Sequence, residues 1–254
     1  MNPLLVCSKS TRKFLPGYDR VRVVTSAPTK DILKEVGTEE NVVAIGGGAV
    51  IDTAKILSKN PIRCYPTTAA GSSSTSWSVY WDGNKKCSLK RMMPEDVILQ
   101  GMFVEDLPDE VIRDTTYDVV SHCLDSMSSI KATEESVAYC KEALQILRTE
   151  KDNFGLIKAG DIAGKAIEIA GTNLLHSLSY PMTGYYGISH GKALGYFLPK
   201  ISKFIDYDVS DIIGEHDIDL EIDVDFVIKE AFKYEKINEF KVTINYEILK
   251  EILK

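Results

Sequence analysis

Three consecutive glycines, Gly46–Gly48, separate the apolar segment NVVAI from the helical segment AVIDTAK. An apolar, β-branched run is typical of a buried strand, and glycines allow a tight turn into a helix. A backbone without side chains can also approach a phosphate closely. The free N–H groups and the positive dipole end at the start of a helix favour binding of such an anion. The turn predicts either a pyrophosphate site or only a tight connection. It matches neither a P-loop nor a GxGxxG fingerprint.

The same alternation of strand and helix patterns fills the first hundred residues. Strands are predicted in PLLVCS, RVRVVTS, NVVAIGG and PIRCYP, which read as buried parallel strands, and helices in TKDILKEVG and IDTAKILSKN. Thr29 is expected to cap the first helix and Gly37 to end it. This alternation predicts a parallel sheet with helices on its faces.

Strand patterns stop at about Glu105. Helices are predicted over 109–130, 134–149, 155–179 and 190–205, with a turn at Pro181–Gly187. We therefore predict an α/β nucleotide-binding domain over residues 1–104, followed by an all-helical metal-binding domain over 105–254. The cleft between the two is the expected site.

Composition excludes several classes of protein. The net charge of -7 argues against non-specific nucleic-acid binding. Five cysteines without CxxC spacing argue against a disulfide scaffold and favour a cytoplasmic protein. We expect no signal peptide and no membrane span. The acidic segment 206–225 is interpreted as a solvated loop rather than a metal site, with His216 on the surface.

A hydroxyl-rich loop, PTTAAGSSSTS, follows the strand pattern PIRCYP. Its side chains include Thr67, Thr68 and Ser76, which can donate to phosphate or ribose oxygens. The alternative is a flexible serine linker. The position at the carboxyl end of a central strand, where open α/β sheets bind ligands, favours a binding loop.

Three of the four histidines stand near predicted helix ends or beside a carboxylate. Asp118 and His122 are four residues apart and so share one helix face, while His176 and His190 flank a loop. An Asp–His pair alone is often a surface or capping interaction. One carboxylate with three imidazoles suits Zn²⁺ or Fe²⁺.

Four motifs, in order, resemble the iron-containing (group III) alcohol dehydrogenases: GGGAVIDTAK, PTTAAGSSS, DVVSHCLD and HSLSYPMTGYYGISHG. The resemblance implies a dehydroquinate synthase-like fold and a divalent metal, Fe²⁺ or Zn²⁺, held by Asp118, His122, His176 and His190. It also implies an NAD(P) site lined by Gly47, Gly48, Ala49, Asp52, Thr67, Thr68 and Ser76. To that site we add Gly46, Lys86 and Lys9. Asp52 and Tyr180 are the expected catalytic residues.

The chain departs from the family pattern at several points. The sequence predicts a shortened N-terminal domain, in which the crossover helix before RVRVVTS is missing. Ala49 stands where the family has serine, Asp125 where it has glutamate, and Tyr180 where it has histidine. The phenol of Tyr180 is expected either to relay protons or to form only a wall of the pocket. Lys9, with Arg12 and Lys13, favours NADP, unless it lies in a solvated basic turn.

The resemblance implies a metal-dependent NAD(P) oxidoreductase that interconverts a small alcohol and its aldehyde or ketone. The substrate is expected to be a small molecule, and the protein a homo-oligomer, a dimer. Trp77, Tyr185 and Tyr186 are candidate walls of its pocket. Two alternatives stay open: a catalytically impaired relative that binds metal or a partner, and a dehydroquinate synthase-like lyase.

Overall fold

The computed structural model describes residues 2–214 and 218–253, so His216 lies outside the described residues. A five-stranded parallel sheet forms its first part, in the order β2-β1-β3-β4-β7. The strands are β1 (Leu4–Cys7), β2 (Arg20–Val23), β3 (Val42–Gly46), β4 (Arg63–Pro66) and β7 (Asp96–Val97). The predicted α/β fold class and parallel sheet are confirmed.

The central strands β1 and β3 are buried because both faces of the sheet are covered. Val6, Ala44 and Cys64 face α1 (Gly48–Leu57), while Leu5, Cys7 and Ile45 pack with Phe14 and Phe103 on the other face. By contrast, β2 is an edge strand, and Val23 is 47% exposed. The prediction that RVRVVTS is a buried strand was wrong, because only one neighbour pairs with it.

A two-stranded antiparallel hairpin, β5 (Trp77–Asp82) and β6 (Lys85–Lys90), lies outside the main sheet and was not predicted. Its turn contains Gly83 at φ 59°, in the left-handed region that glycine tolerates. The predicted helix TKDILKEVG is a 3₁₀ helix over Lys30–Glu35. Thr29 makes no side-chain cap to it, whereas Gly37 follows its end at φ 65°.

Five long helices form the second part: α2 (Asp109–Met127), α3 (Glu134–Thr149), α4 (Asn153–Ala170), α5 (Leu174–Tyr186) and α6 (His190–Phe204). Three shorter ones follow within the described residues: α7 (Ser210–Ile213), α8 (Val224–Ala231) and α9 (Tyr246–Ile252). Buried leucines and alanines of α2 to α6 form one core with Phe197 and Leu249. The boundary at residues 104 and 105 stays a prediction. No helix in the described part of the chain is both long and apolar enough to cross a bilayer.

The predicted helix over 155–179 is two helices. Gly171 ends α4 at φ 73°, and Asn173 begins α5 by accepting the N–H of Leu174. The predicted turn at Pro181–Gly187 was also wrong, because α5 continues through Pro181 to Tyr186. Leu174–Met182 are buried without interruption, so packing outweighs the cost of an internal proline.

Candidate active site

One cavity of about 670 Å³ connects the glycine turn to the histidines. It runs between α1 and the hairpin on one side and α2, α5 and α6 on the other. Trp77 and Trp81 of the hairpin contribute apolar wall. Tyr185 and Tyr186, two candidate walls, do not line this cavity; both are exposed and pack against Phe226.

The glycine turn leaves the start of α1 open to the cavity. A Cβ on Gly47 would lie 2.9 Å from Thr68 Oγ1, and one on Gly46 would lie 2.6 Å from Val50 Cγ2, so neither position accepts a side chain. Gly48 and Ala49 line the cavity, and no side chain caps the helix. Val50 N–H donates to the Gly47 carbonyl at 3.0 Å, whereas the N–H groups of Gly48 and Ala49 precede the first bond of the helix and can bind an anion.

The serine loop is fixed by hydrogen bonds, so the flexible-linker alternative is wrong. Lys55 Nζ donates to the carbonyl oxygens of Ser72 at 2.8 Å and Thr75 at 3.2 Å. The N–H and hydroxyl of Ser76 donate to the Glu168 carboxylate at 2.9 and 2.7 Å. Lys55 thereby ties the loop to α1, and Glu168 ties it to α4. Neither residue was predicted from the sequence.

Asp52 faces the cavity from the second turn of α1. Its Oδ1 accepts a hydrogen bond from Ser72 Oγ at 2.6 Å and lies 3.7 Å from Lys55 Nζ. Burial raises the pKa of the Asp52 carboxyl, while the Lys55 ammonium opposes that shift. These contacts join Asp52 to the loop rather than to the histidines.

The predicted cofactor residues fall into two groups. Four line the cavity, namely Gly48, Ala49, Asp52 and Lys86. The other six are not among its lining residues: Gly46, Gly47, Thr67, Thr68, Ser76 and Lys9. Thr67 is buried behind the turn, where its N–H donates to the Gly46 carbonyl at 3.1 Å, and Lys9 is exposed.

Three helices bring one carboxylate and three imidazoles together. Asp118 Oδ1 lies 3.4 Å from Nε2 of His122, 3.4 Å from Nε2 of His176 and 3.9 Å from Nε2 of His190. Ligand atoms of Asp118, His176 and His190 all lie within 4.8 Å of one another. The His122 ring stacks on His176 at 4.8 Å. The four predicted residues therefore form one cluster.

The chemistry of this cluster fits a divalent cation. Among the described residues, Asp118 Oδ1 and His176 Nε2 are buried and have no hydrogen-bond partner. A buried acceptor without a partner costs free energy, and these two atoms point at each other rather than at a donor. One cation between them would satisfy both, together with the Nε2 atoms of His122 and His190.

Asp125 fixes the orientation of His176. Its Oδ2 accepts from His176 Nδ1 at 2.9 Å, which leaves Nε2 facing Asp118. The same carboxylate accepts the backbone N–H groups of Asn173, Leu175 and His176, at the start of α5. A carboxylate behind a histidine is the usual arrangement around metal-ligating imidazoles. The sequence pattern marks Asp125 only as a departure from the glutamate of the family, and it does not predict this role.

Burial and the close packing of the cluster set its protonation. Burial opposes ionisation of Asp118, but the facing imidazoles hold the pKa of this carboxyl below its usual range. Burial lowers the pKa of His122 to about 4, and burial with the Lys86 ammonium lowers the pKa of His190. A carboxylate beside neutral imidazoles is the ligand state that a metal requires.

Tyr180 is buried beside this cluster, with its ring stacked on His190 at 5.8 Å. Two lysines flank the phenol. Lys86 Nζ lies 4.5 Å from the ring centroid and 3.4 Å from His190 Nε2. Lys236 Nζ donates to Tyr180 Oη at 2.7 Å and to Thr172 Oγ1 at 2.6 Å. Lys86 therefore lies beside the histidines, and Lys236 was not predicted.

Comparison with known proteins agrees with this arrangement. Residues 112–217 match the sequence family described as "Fe-containing alcohol dehydrogenase family, C-terminal". The chain is therefore similar to the iron-containing alcohol dehydrogenases in this segment and in its fold. The matched segment begins within α2 and contains Asp118, His122, His176 and His190.

The alignments with individual relatives cover different shares of this chain and of the relatives. The 4-hydroxybutyrate dehydrogenase of Clostridium kluyveri is 26% identical over 212 residues, or 68% of this chain and 57% of that protein. An iron-containing alcohol dehydrogenase from Thermotoga maritima has the same fold, with a TM-score of 0.81 at 21% identity, over 99% of this chain and 90% of that chain.

A sulfoacetaldehyde reductase from Bifidobacterium kashiwanohense, solved in complex with NAD⁺, gives a TM-score of 0.80 at 19% identity over 99% of this chain and 90% of that chain. The chain spans between 24% and 57% of the length of the first three curated relatives that it matches.

Proposed function

We propose that this chain is a metal-dependent NAD(P) oxidoreductase that interconverts a small alcohol and its aldehyde or ketone. The observation that supports the proposal is that one cavity is lined both by the open start of α1 and by Asp118, His176 and His190, with His122 Nε2 3.4 Å from Asp118 Oδ1. Hydride transfer requires a cofactor and a polarised substrate held against each other in one space.

Four residues would hold the metal: Asp118, His122, His176 and His190. We propose Fe²⁺ or Zn²⁺, since both suit imidazole with carboxylate. When bound, a divalent ion polarises the carbonyl oxygen as a Lewis acid, and a nicotinamide supplies or accepts the hydride. Asp125 keeps Nε2 of His176 free to bind by accepting the hydrogen of Nδ1.

The cofactor would bind at the glycine turn, where the N–H groups of Gly48 and Ala49 receive the pyrophosphate. Asp52 would face this end of the cofactor from the cavity wall, whereas Thr67, Thr68 and Ser76 would act indirectly, by holding the glycine turn and the serine loop in place. The preference for NADP rests on the exposed Lys9 and on Lys13, because the Arg12 guanidinium already donates to the carbonyl oxygens of Leu15 and Tyr18. The sulfoacetaldehyde reductase of similar fold was solved with NAD⁺, which supports a nicotinamide cofactor of either form.

Tyr180 would act at the reacting end of the cavity. Its hydroxyl accepts a hydrogen bond from Lys236 and keeps its own hydrogen available for a substrate oxygen. Trp77 and Trp81 would exclude water from the same space. We also propose that the protein is cytoplasmic and forms a homodimer, in line with its cysteine usage and its family.

An absorbance assay tests the proposed function. The protein is incubated with Fe²⁺, Zn²⁺ or Mn²⁺, and the oxidation of NADPH and NADH is followed with a panel of small aldehydes. We expect metal-dependent oxidation that a chelator abolishes. Stoichiometric metal binding without any turnover would instead identify a catalytically impaired relative.

A further inference from the structure

A lysine in the cavity lacks an anionic partner. Lys236 is partly buried, lines the cavity, and forms no ion pair among the described residues. The two carboxylates that act electrostatically on its ammonium already have other partners: Glu239 pairs with Lys131 Nζ at 2.6 Å, and Asp125 accepts the hydrogen bonds at the start of α5. Within residues 2–214 and 218–253, the ammonium donates to two neutral oxygens, those of Thr172 and Tyr180.

An uncompensated ammonium in a largely enclosed space has a free-energy cost, which an anion would offset. Burial lowers the pKa of Lys236 to about 8, so the side chain remains mostly protonated at neutral pH. One of its three N–H groups is left after the bonds to Thr172 and Tyr180. The Thr172 hydroxyl accepts from Lys236 and lies within hydrogen-bonding reach of the Tyr180 phenol, so its own hydrogen can turn to the phenol or to a bound anion.

Lys236 and Thr172 are placed where they can bind one end of a short substrate. Thr172 lies at the break between α4 and α5, four residues before His176. Lys236 Nζ lies 4.8 Å from the Tyr180 ring centroid, and that ring lies 6.2 Å from the His176 ring and 5.8 Å from the His190 ring. The single ring of Tyr180 therefore separates Lys236 from the histidines. A substrate chain of a few carbons can span the distance between them.

We propose that Lys236 and Thr172 form a subsite for the anionic group of the substrate, so that the enzyme prefers short aldehydes and alcohols that end in a carboxylate, sulfonate or phosphonate. The ammonium would supply charge and one N–H, and the Thr172 hydroxyl a second donor. This inference rests on the proposed function for the reacting end of the molecule. The binding of the anionic end is a separate property and can be measured separately.

Kinetics with two aldehydes of equal chain length test the preference. We compare 4-oxobutanoate with butanal in the metal-loaded enzyme, for the wild type, Lys236→Met and Thr172→Val. Lys236→Met should lower kcat/KM for 4-oxobutanoate about ten- to a hundredfold, mainly through KM, because a hydrogen bond to a charged group is lost. Because Lys236 also donates to the Tyr180 hydroxyl, Lys236→Met should lower the value for butanal as well, but the ratio of kcat/KM for 4-oxobutanoate to that for butanal should fall about tenfold or more. Thr172→Val should produce a smaller loss in the same direction.

Three controls distinguish a lost subsite from a damaged fold. Lys236→Arg keeps the charge and should retain part of the preference for 4-oxobutanoate. Lys241→Met removes an exposed lysine whose ammonium donates to the Met127 carbonyl, with no other partner in the described part of the chain, and should behave as wild type. The melting temperature of Lys236→Met should not fall, because methionine fills similar space without a charge.

Calorimetric titration with 4-hydroxybutanoate and butan-1-ol measures the subsite without turnover. If neither aldehyde is reduced but Lys236→Met weakens 4-hydroxybutanoate alone, the subsite stands and the proposed reaction fails. If both aldehydes are reduced and Lys236→Met leaves both the ratio of their kcat/KM values and the affinity for 4-hydroxybutanoate unchanged, the oxidoreductase stands and the subsite is overturned.

Discussion

Asp125→Asn removes one charge behind the histidine cluster and changes little else in shape. Asp125 Oδ2 accepts from His176 Nδ1 and from the N–H groups of Asn173 and His176, while Oδ1 accepts from the N–H of Leu175. An asparagine has one oxygen and one NH₂ group, so it cannot accept at both positions. In either orientation of the side-chain amide, its NH₂ group would face at least one buried N–H.

The cost follows from these four bonds. Losing one buried hydrogen bond to a charged acceptor, and leaving its donor unpaired, costs about 1–3 kcal/mol. If the amide oxygen keeps His176, the melting temperature should fall and the metal affinity should fall modestly. If the NH₂ group faces Nδ1, the ring loses its orientation, and the metal affinity should fall roughly ten- to a hundredfold, as for other partners behind metal ligands.

The assay is a competition between the protein and a chromophoric chelator for Zn²⁺, with a melting curve of each metal-free variant. Asp125→Glu is the matched control, since it keeps the charge and introduces the residue that the family resemblance leads us to expect. We predict an affinity closer to wild type for Asp125→Glu than for Asp125→Asn. An Asp125→Asn protein with the metal affinity and melting temperature of the wild type would refute the role of this carboxylate.

Three further predictions concern the cofactor and the chemistry. Gly48→Val should greatly weaken cofactor binding while metal binding persists, because a branched side chain would stand 3.3 Å or less from Ala70 at the open start of α1; nicotinamide fluorescence measures this. Tyr180→Phe should lower turnover roughly ten- to ten-thousand-fold at constant metal content if the phenol relays protons, whereas unchanged turnover would make it only a wall. Lys9→Ala should weaken NADPH more than NADH in the same titration, and an equal effect on both would remove the reason for preferring NADP.

The sequence predicts best where one local pattern determines both structure and position. The strands β1, β3 and β4 follow from apolar runs, and α1 follows from the glycine turn. The four predicted metal ligands meet because Asp118 and His122 are fixed by helical spacing, and His176 and His190 lie at the starts of neighbouring helices. These relations depend on short stretches of chain and on motifs.

The errors arise where long-range contacts decide. The break before α5 depends on Asp125, which accepts the N–H groups at the start of that helix from 48 residues away. The hairpin was missed although Gly83-Asn84 is a common two-residue hairpin turn between β-rich segments. Lys236 carries no local signal, because only the packing of the C-terminal segment against α5 brings its ammonium to Tyr180.

The central claim is that Asp118, His122, His176 and His190 hold one divalent metal at the end of the cavity. Metal analysis of the purified protein after loading and desalting tests it most directly, on the wild type, His176→Ala, His190→Ala and, as the control, His216→Ala. We predict one equivalent in the wild type and in His216→Ala, and almost none in the other two variants. Retention of a full equivalent by both His176→Ala and His190→Ala would contradict the account.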